Sequence, residues 1–218
     1  MASGGSIVET GQIEAGDGAR ASATFNDAIL RLTGDQSNLF MGFKQGSVSI
    51  DTGGLTIDTQ THDVGLAIGL QGVGGLTKAG SGKLTLGGVN SYAGSTDVLE
   101  GTLAIGPGVT LAGGEGNLAR DAGTQASVTV TGADAKWDTG AKPINVGLAG
   151  KGELTITQGG SVKSVGGNIG VKGSMPSTAT VADQRSEWDL DSGMLVVGQN
   201  GAGILTIKAG ARCAALPR

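Results

Sequence analysis

The 218-residue chain has one cysteine, one histidine, four prolines and 3% aromatic residues. Each shortage excludes something. Cys213 stands alone, so no intrachain disulfide can form, and the compartment is not legible from it. Four prolines do not make a disordered Pro/Gly linker. With His62 as the only histidine, any nucleophile–His–acid set would have to pass through it. One histidine also cannot make an ordinary His-rich zinc site, and Cys213 is 151 residues away. No stretch approaches the ~18 apolar residues of a membrane-spanning helix. Met1–Ser6 has neither a basic n-region nor an apolar h-region, so an exported protein would take its signal from outside this sequence. Net charge is −4, with lysine and arginine scattered. Without a basic stripe, neither nucleic-acid binding nor polybasic membrane attachment has support.

What the chain does have is glycine, 43 of 218 residues, about three times the usual share. Collagen is excluded because no Gly-X-Y period exists. A helical bundle is excluded because each interior helical glycine would cost about 1 kcal/mol. The remaining apolar residues are mostly Val, Ile, Leu and Ala in short alternating runs, which predicts short strands between glycine corners.

Along the chain, 7–17 reads as a strand followed by Gly/Asp turn chemistry. Ala23, Phe25, Ala28, Leu30 and Leu32 alternate in part, and helix competes over 25–32. Leu39-Phe40-Met41-Gly42-Phe43 is the most apolar local run, a one-turn excursion or a cap-like patch, with core packing expected. From Ser47 the alternation is clean: Val48 and Ile50, then Leu55 and Ile57, then Val64, Leu66 and Ile68.

Over 125–212 the chain repeats itself. Trp137-Asp138 returns as Trp188-Asp189, and Val146-Gly147 as Val197-Gly198. Gly150, Gly152, Leu154, Thr155, Ile156 and Gly159 return as Gly201, Gly203, Leu205, Thr206, Ile207 and Gly210. Every offset is 51, which signals a stacked solenoid. Leu154 and Ile156 fall on one side of their strand, Glu153, Thr155 and Thr157 on the other. Stacking such inward pairs would bury an aliphatic column at roughly 1.5–3 kcal/mol per residue. Between 74 and 103, equivalent strands recur after about 18 to 20 residues, one turn of a solenoid with three strands per rung.

That segment runs Gly74-Gly75-Leu76-Thr77-Lys78-Ala79-Gly80-Ser81-Gly82-Lys83-Leu84-Thr85-Leu86, then Asn90, Tyr92, Gly94, Thr96, Val98, then Gly101-Thr102-Leu103. It resembles the passenger-associated transport repeat of type V autotransporters, G-L-T-K-x-G-x-G-x-L-T-L, N-x-Y-x-G-x-T-x-V, G-T-L. The visible departure is Gly88 with Val89 before Asn90. Ile57-Asp58-Thr59 and His62-Asp63-Val64 resemble the lead-in to that repeat. Trp137 through Val162 is similar to a second repeat of exported surface proteins, W…V-G-x-x-G-x-G-x-L-T-I-x-x-G-G-x-V. The resemblance covers roughly 47–212. It implies an all-β, right-handed parallel β-helix passenger, displayed on or released from a Gram-negative surface.

Candidate chemistry is sparse. Parallel β-helices also host polysaccharide lyases and hydrolases, which need paired carboxylates or calcium ligands. Asp134, Asp138, Asp189 and Asp191 are the nearest approach. Asp138 and Asp189 follow the repeated tryptophans and would share a slot on neighbouring rungs, which reads as turn or ladder chemistry. His62 reads as a solvated turn residue. Gly80-Ser81-Gly82-Lys83-Leu84 lacks the first glycine and the Ser/Thr of a phosphate loop. Gly113-Gly114-Glu115-Gly116-Asn117-Leu118 lacks the aspartate of a calcium nonapeptide. Both read as corners. Trp137 and Trp188 could stack on successive sugars, although packing is the commoner use. Cys213 falls 51 after Val162, an inward position.

The sequence thus predicts N-terminal rungs or a cap-like region over 1–46, β-helix with the passenger repeat over 47–124, and two 51-residue repeats over 125–218, the second truncated. The expected function is structural, a surface-display segment of an adhesin-like or virulence-associated exoprotein. The expected location, by resemblance, is the cell surface, the outer membrane or the medium. No catalytic, cofactor-binding or metal-binding residue is nominated. Expected partners are a host-cell surface or matrix, carbohydrate, or a second copy, with no nucleic acid. No transmembrane segment is expected here, while a barrel translocator is expected in the full-length protein. The alternatives are a carbohydrate-active β-helix enzyme and a non-functional fragment of an autotransporter gene. Ala214-Ala215-Leu216-Pro217-Arg218 breaks the template of Lys163–Gly167, which motivates the expectation of a fragment.

Overall fold

The computed structural model describes residues 5–16 and 20–215. Readings that fall on Met1–Gly4, Asp17 and Leu216–Arg218 lie outside the described residues. Among those described there are 27 strands and no helix. The pairings are parallel, and every third strand joins the same sheet. Sheet one holds nine strands, from Ser6–Thr10 to Leu195–Val197, and sheet three nine, from Ala23–Phe25 to Arg212–Ala214. Sheet two holds seven, from Val64–Gly65 to Gly203–Lys208. Ile13–Glu14 and Phe40–Met41 form a separate short pair, and an isolated Gln36↔Val64 bridge adjoins the first strand of sheet two. The result is a three-sided β-solenoid of about eight turns.

The register explains the alternation. Leu55, Leu76 and Thr96 stack in sheet one, and Leu84, Leu103, Val128, Leu154 and Ala179 in sheet two. Their side chains fill one buried column, while Ser127, Thr129, Glu153 and Thr155 face outward. Leu205 and Ile207 keep the inward register, but Ile207 is exposed because no described strand covers that rung.

Near the N-terminus, strand prevails over helix. Ala23–Phe25 and Ala28–Leu32 are separate strands with a corner at Asn26 and Asp27. Ala28–Leu32 pairs on both sides, which a helix over 25–32 would forfeit. The apolar run at 39–43 packs inward as expected: Leu39 and Phe40 are fully buried, and Phe40 stacks 5.8 Å from Phe25 and 5.9 Å from Phe43.

Sheet-one strands begin at even steps at Leu76, Thr96 and Gly116, and then at Ile144, Gly167 and Leu195. These later steps run long, short and long. The step from Gly116 to Ile144 and the step from Ile144 to Gly167 together make up the 51-residue period, which is therefore two rungs of unequal length. The core shows why a single rung is not the unit. Sheet three presents Trp137, Val162, Trp188 and Cys213 inward in succession. Sheet one presents Gly116, Ile144, Gly167 and Leu195 on the same rungs. A Cβ at Gly116 would stand 2.7 Å from Cη2 of Trp137, and one at Gly167 2.5 Å from Cζ2 of Trp188. Each indole therefore occupies the space a glycine vacates, and a Val/Ile rung separates the two.

Gly101, which opens the G-T-L motif, has φ +71°, and its Cβ would stand 2.5 Å from the carbonyl oxygen of Gly80. Both the backbone conformation and the close approach of the preceding rung require glycine there.

Candidate functional site

The segment from Leu76 to Ile105 is distinguished by what it buries. Lys78 faces the core between Ile57 and Val98 and is fully buried. Its Nζ donates to the carbonyls of Ala79 (3.0 Å), Gly80 (2.7 Å) and Glu100 (3.0 Å). Burial pulls its pKa down to about 8, against the opposing pull of Asp58, Glu100 and Asp63. Asn90, also fully buried, accepts from the Leu70 N–H (3.0 Å). Its Nδ2 donates to the carbonyls of Gly87 (3.1 Å) and Thr110 (3.2 Å). Tyr92 Oη and Thr96 Oγ1 share a buried hydrogen bond of 2.7 Å, and burial pushes the phenol pKa up. The motif's polar residues therefore tie the corners of successive rungs together. They are enclosed, and they bond to the backbone or, for Tyr92 and Thr96, to each other.

A second polar array lies on the outer face of sheet one. Asn117, Asn145 and Asn168 stack in register above Asp97. Asn117 Nδ2 donates to Asp97 Oδ1 (2.8 Å), Asn145 Nδ2 to Asn117 Oδ1 (2.8 Å), and Asn168 Nδ2 to Asn145 Oδ1 (2.7 Å). Glu115 accepts a further bond from Asn145 (2.6 Å), and Ser95 donates to Asp97 (2.9 Å). Every amide donates toward the Asp97 carboxylate, which such a chain of dipoles favours. Sequence reasoning missed this ladder, because Asn117, Asn145 and Asn168 are unequally spaced and only the register aligns them.

The candidates raised from sequence are dispersed. His62 Nδ1 lies 3.4 Å from Asp35 Oδ1 on an exposed corner. Beside it, hydrogen bonds from the Lys83 side chain and backbone hold the Asp63 carboxyl below its usual range. Asp138 and Asp189 are not on neighbouring rungs, because Lys163 stands between them. Each accepts a backbone N–H two residues on, from Gly140 and Asp191, both at 2.8 Å. That is turn chemistry. Asp134 and Asp191 sit at corners with φ of 60° and 49°. Among the described residues no group of three or more His, Cys, Asp or Glu side chains converges.

Gly80 to Gly82 forms a corner, and Gly116–Leu118 is a strand. Cys213 stacks inward on Trp188, and burial raises its thiol pKa. Trp137 and Trp188 are fully buried, so neither ring is available to a sugar. Trp188 Nε1 donates to Ser164 Oγ (2.9 Å), whereas Trp137 Nε1 has no partner among the described residues. The residue 51 before Ser164 is Gly113, which lacks the hydroxyl.

One concavity lies along the edge between sheets one and two. A cavity of about 390 Å³ is lined by Glu100, Gln125, Ser127, Lys151 and Glu153 among others. A second of about 380 Å³, reaching Asp58 and Gln60, shares Ser81 and Glu100 with it. Lys151 pairs with Glu153 at 2.6 Å, and Arg31 with Asp58 at 3.4 Å. Glu100 has no ion-pair partner among the described residues.

The profile of the Passenger-associated-transport-repeat family matches residues 76–105, the segment that carries Lys78, Asn90, Tyr92 and Thr96. The match is confined to those residues and does not extend over the rest of the chain. Beyond the repeat, the chain is similar to a protein named Adhesin BmaC autotransporter, from Brucella suis biovar 1 (strain 1330). The two are 31% identical over 159 residues, which covers 66% of this chain and 5% of the relative. The chain thus corresponds to a small part of that relative's length. No solved structure matches it significantly. The passenger repeat, its lead-in and the Trp/Gly rungs form one uninterrupted stack, because each sheet runs through all of them.

Proposed function

We propose that this chain is a surface-display segment of an autotransporter passenger, a rigid β-solenoid shaft in an adhesin-like exoprotein at the cell surface or released from it. The passenger repeat within a continuous three-sheet solenoid carries the reading, and the similarity to a named adhesin autotransporter supports it. A solenoid of this kind holds its outward ladders and corners at fixed spacing, and specificity resides there. The test is to place the chain between an export signal and an autotransporter barrel in a Gram-negative host. The expected result is protease-accessible chain on intact cells and increased attachment to host cells or matrix. Chain that stays inside the cell, or is displayed without any gain in attachment, would overturn the reading.

A further inference from the structure

We propose that Trp137 Nε1 is satisfied by a water molecule held at Gly113, the corner where sheet three turns into sheet one. The observation that carries this is a fully buried indole N–H with no hydrogen-bond partner among the described residues. Buried donors of this kind are nearly always bonded, to protein or to ordered water.

The 51-residue period shows where the partner belongs. In the second copy Ser164 Oγ accepts from Trp188 Nε1 (2.9 Å) and donates to the Gly166 carbonyl (2.8 Å). The backbone beside the two tryptophans corresponds: the Ser164 N–H donates to the Asp189 carbonyl (2.9 Å), and the Gly113 N–H to the Asp138 carbonyl (3.0 Å). In the first copy the place of the serine oxygen therefore lies between Trp137 Nε1 and the carbonyl of Glu115, the residue 51 before Gly166. That place is roomy and polar. The atoms nearest to a Cβ at Gly113 would be the carbonyl oxygens of Tyr92 (3.2 Å) and Gly94 (3.4 Å), with Cε2 of Tyr92 also at 3.4 Å. The indole N–H and these carbonyls supply the roughly three partners that a buried water typically has. Solvent also has a way in. Ser164 is fully buried, whereas Gly113 is partly exposed and lines a cavity of about 370 Å³ with Tyr92, Thr139 and Lys142. The first tryptophan rung is thus hydrated, and the second is sealed by a side-chain hydroxyl.

A crystal structure of the chain, at a resolution that shows ordered water, should place one water within hydrogen-bonding distance of both Trp137 Nε1 and the Glu115 carbonyl. In Gly113→Ser the serine Oγ should stand there instead. Rotating-frame NOE spectra of the isotope-labelled chain give a second arm that needs no crystal. The Trp137 indole proton should show a cross-peak to water. That cross-peak should be lost in Gly113→Ala, whose methyl excludes water from the place without offering an oxygen. The wild-type crystal and spectrum decide the matter even where a variant fails to fold. No water at that place while other buried waters are resolved, a protein atom bonded to Trp137 Nε1, no cross-peak in the wild-type chain, or a cross-peak unchanged in Gly113→Ala would each overturn the proposal.

Discussion

Replacing Gly116 by alanine should destabilise the protein for one reason, and removing Trp137 should abolish that reason. Gly116 has no left-handed φ, so alanine meets no backbone strain there. By itself the change should even stabilise by about 0.4–1 kcal/mol, by restricting the unfolded chain. Against this, the new Cβ would stand 2.7 Å from Trp137 Cη2, nearer still to Cζ2, and 3.2 Å from Ile144 Cγ1. The indole is fully buried and cannot swing away. Overpacking of this kind costs about 1–3 kcal/mol. Trp137→Val installs the residue that nature places one rung on, at Val162, and should cost about 2–4 kcal/mol, somewhat less than a Trp→Ala truncation. In that background Gly116→Ala should be neutral or stabilising, giving a coupling of about 1–3 kcal/mol. Urea melts of the four proteins of this cycle supply the numbers, with Gly34→Ala as a control where nothing lies within 4 Å of the new methyl. Equal effects of Gly116→Ala with and without the indole would refute the account of the 51-residue period.

Other changes follow from the same geometry. Gly113→Ser should give Trp137 Nε1 the partner that Ser164 gives Trp188 and slow exchange of that indole proton, while the 3.2 Å approach of the new Cβ to the Tyr92 carbonyl offsets part of the roughly 1 kcal/mol the bond contributes in denaturant melts. Asn90→Ala should cost about 2–4 kcal/mol, because it strips partners from the Leu70 N–H and from two carbonyls at once. Gln158 has φ +55° at a corner, and Gln158→Gly should gain about 1 kcal/mol of stability in thermal melts. Lys78 binds its proton less tightly when folded than its ordinary value of 10.5. Between pH 8 and 10.5 the unfolded state therefore binds more protons, and stability should rise with pH by at most about 3 kcal/mol. That rise should be missing from pH-dependent melts of Lys78→Met.

The solenoid was legible in the sequence because its inward residues are aliphatic at every second position and its corners are glycine. Leu84 and Leu103, or Leu154 and Ile156, announce their side without any partner in view. The Asp97 ladder could not be read the same way. Its members are unevenly spaced along the chain, because the corners between rungs differ in length. The 51-residue period was visible, but its division into two rungs was not, since the inward column alternates indole with valine. One signal was available: Gly116 precedes Trp137 by the same interval at which Gly167 precedes Trp188. The concavity between sheets one and two could not be read from the sequence, because residues from strands far apart in the chain meet there only through the register.

The alternation of Gly/Trp with Ile/Val rungs has a consequence for how such a chain can change its length. Deleting the rung that carries Ile144 and Val162 would bring two indoles to adjacent levels of one sheet and two glycines to adjacent levels of another. The two indoles would then stack directly where a valine now separates them. Removing or duplicating a pair of rungs leaves every neighbour as it was. Changes of length that keep the core's neighbour pairs therefore come in whole two-rung periods, whereas a step of one rung puts indole against indole.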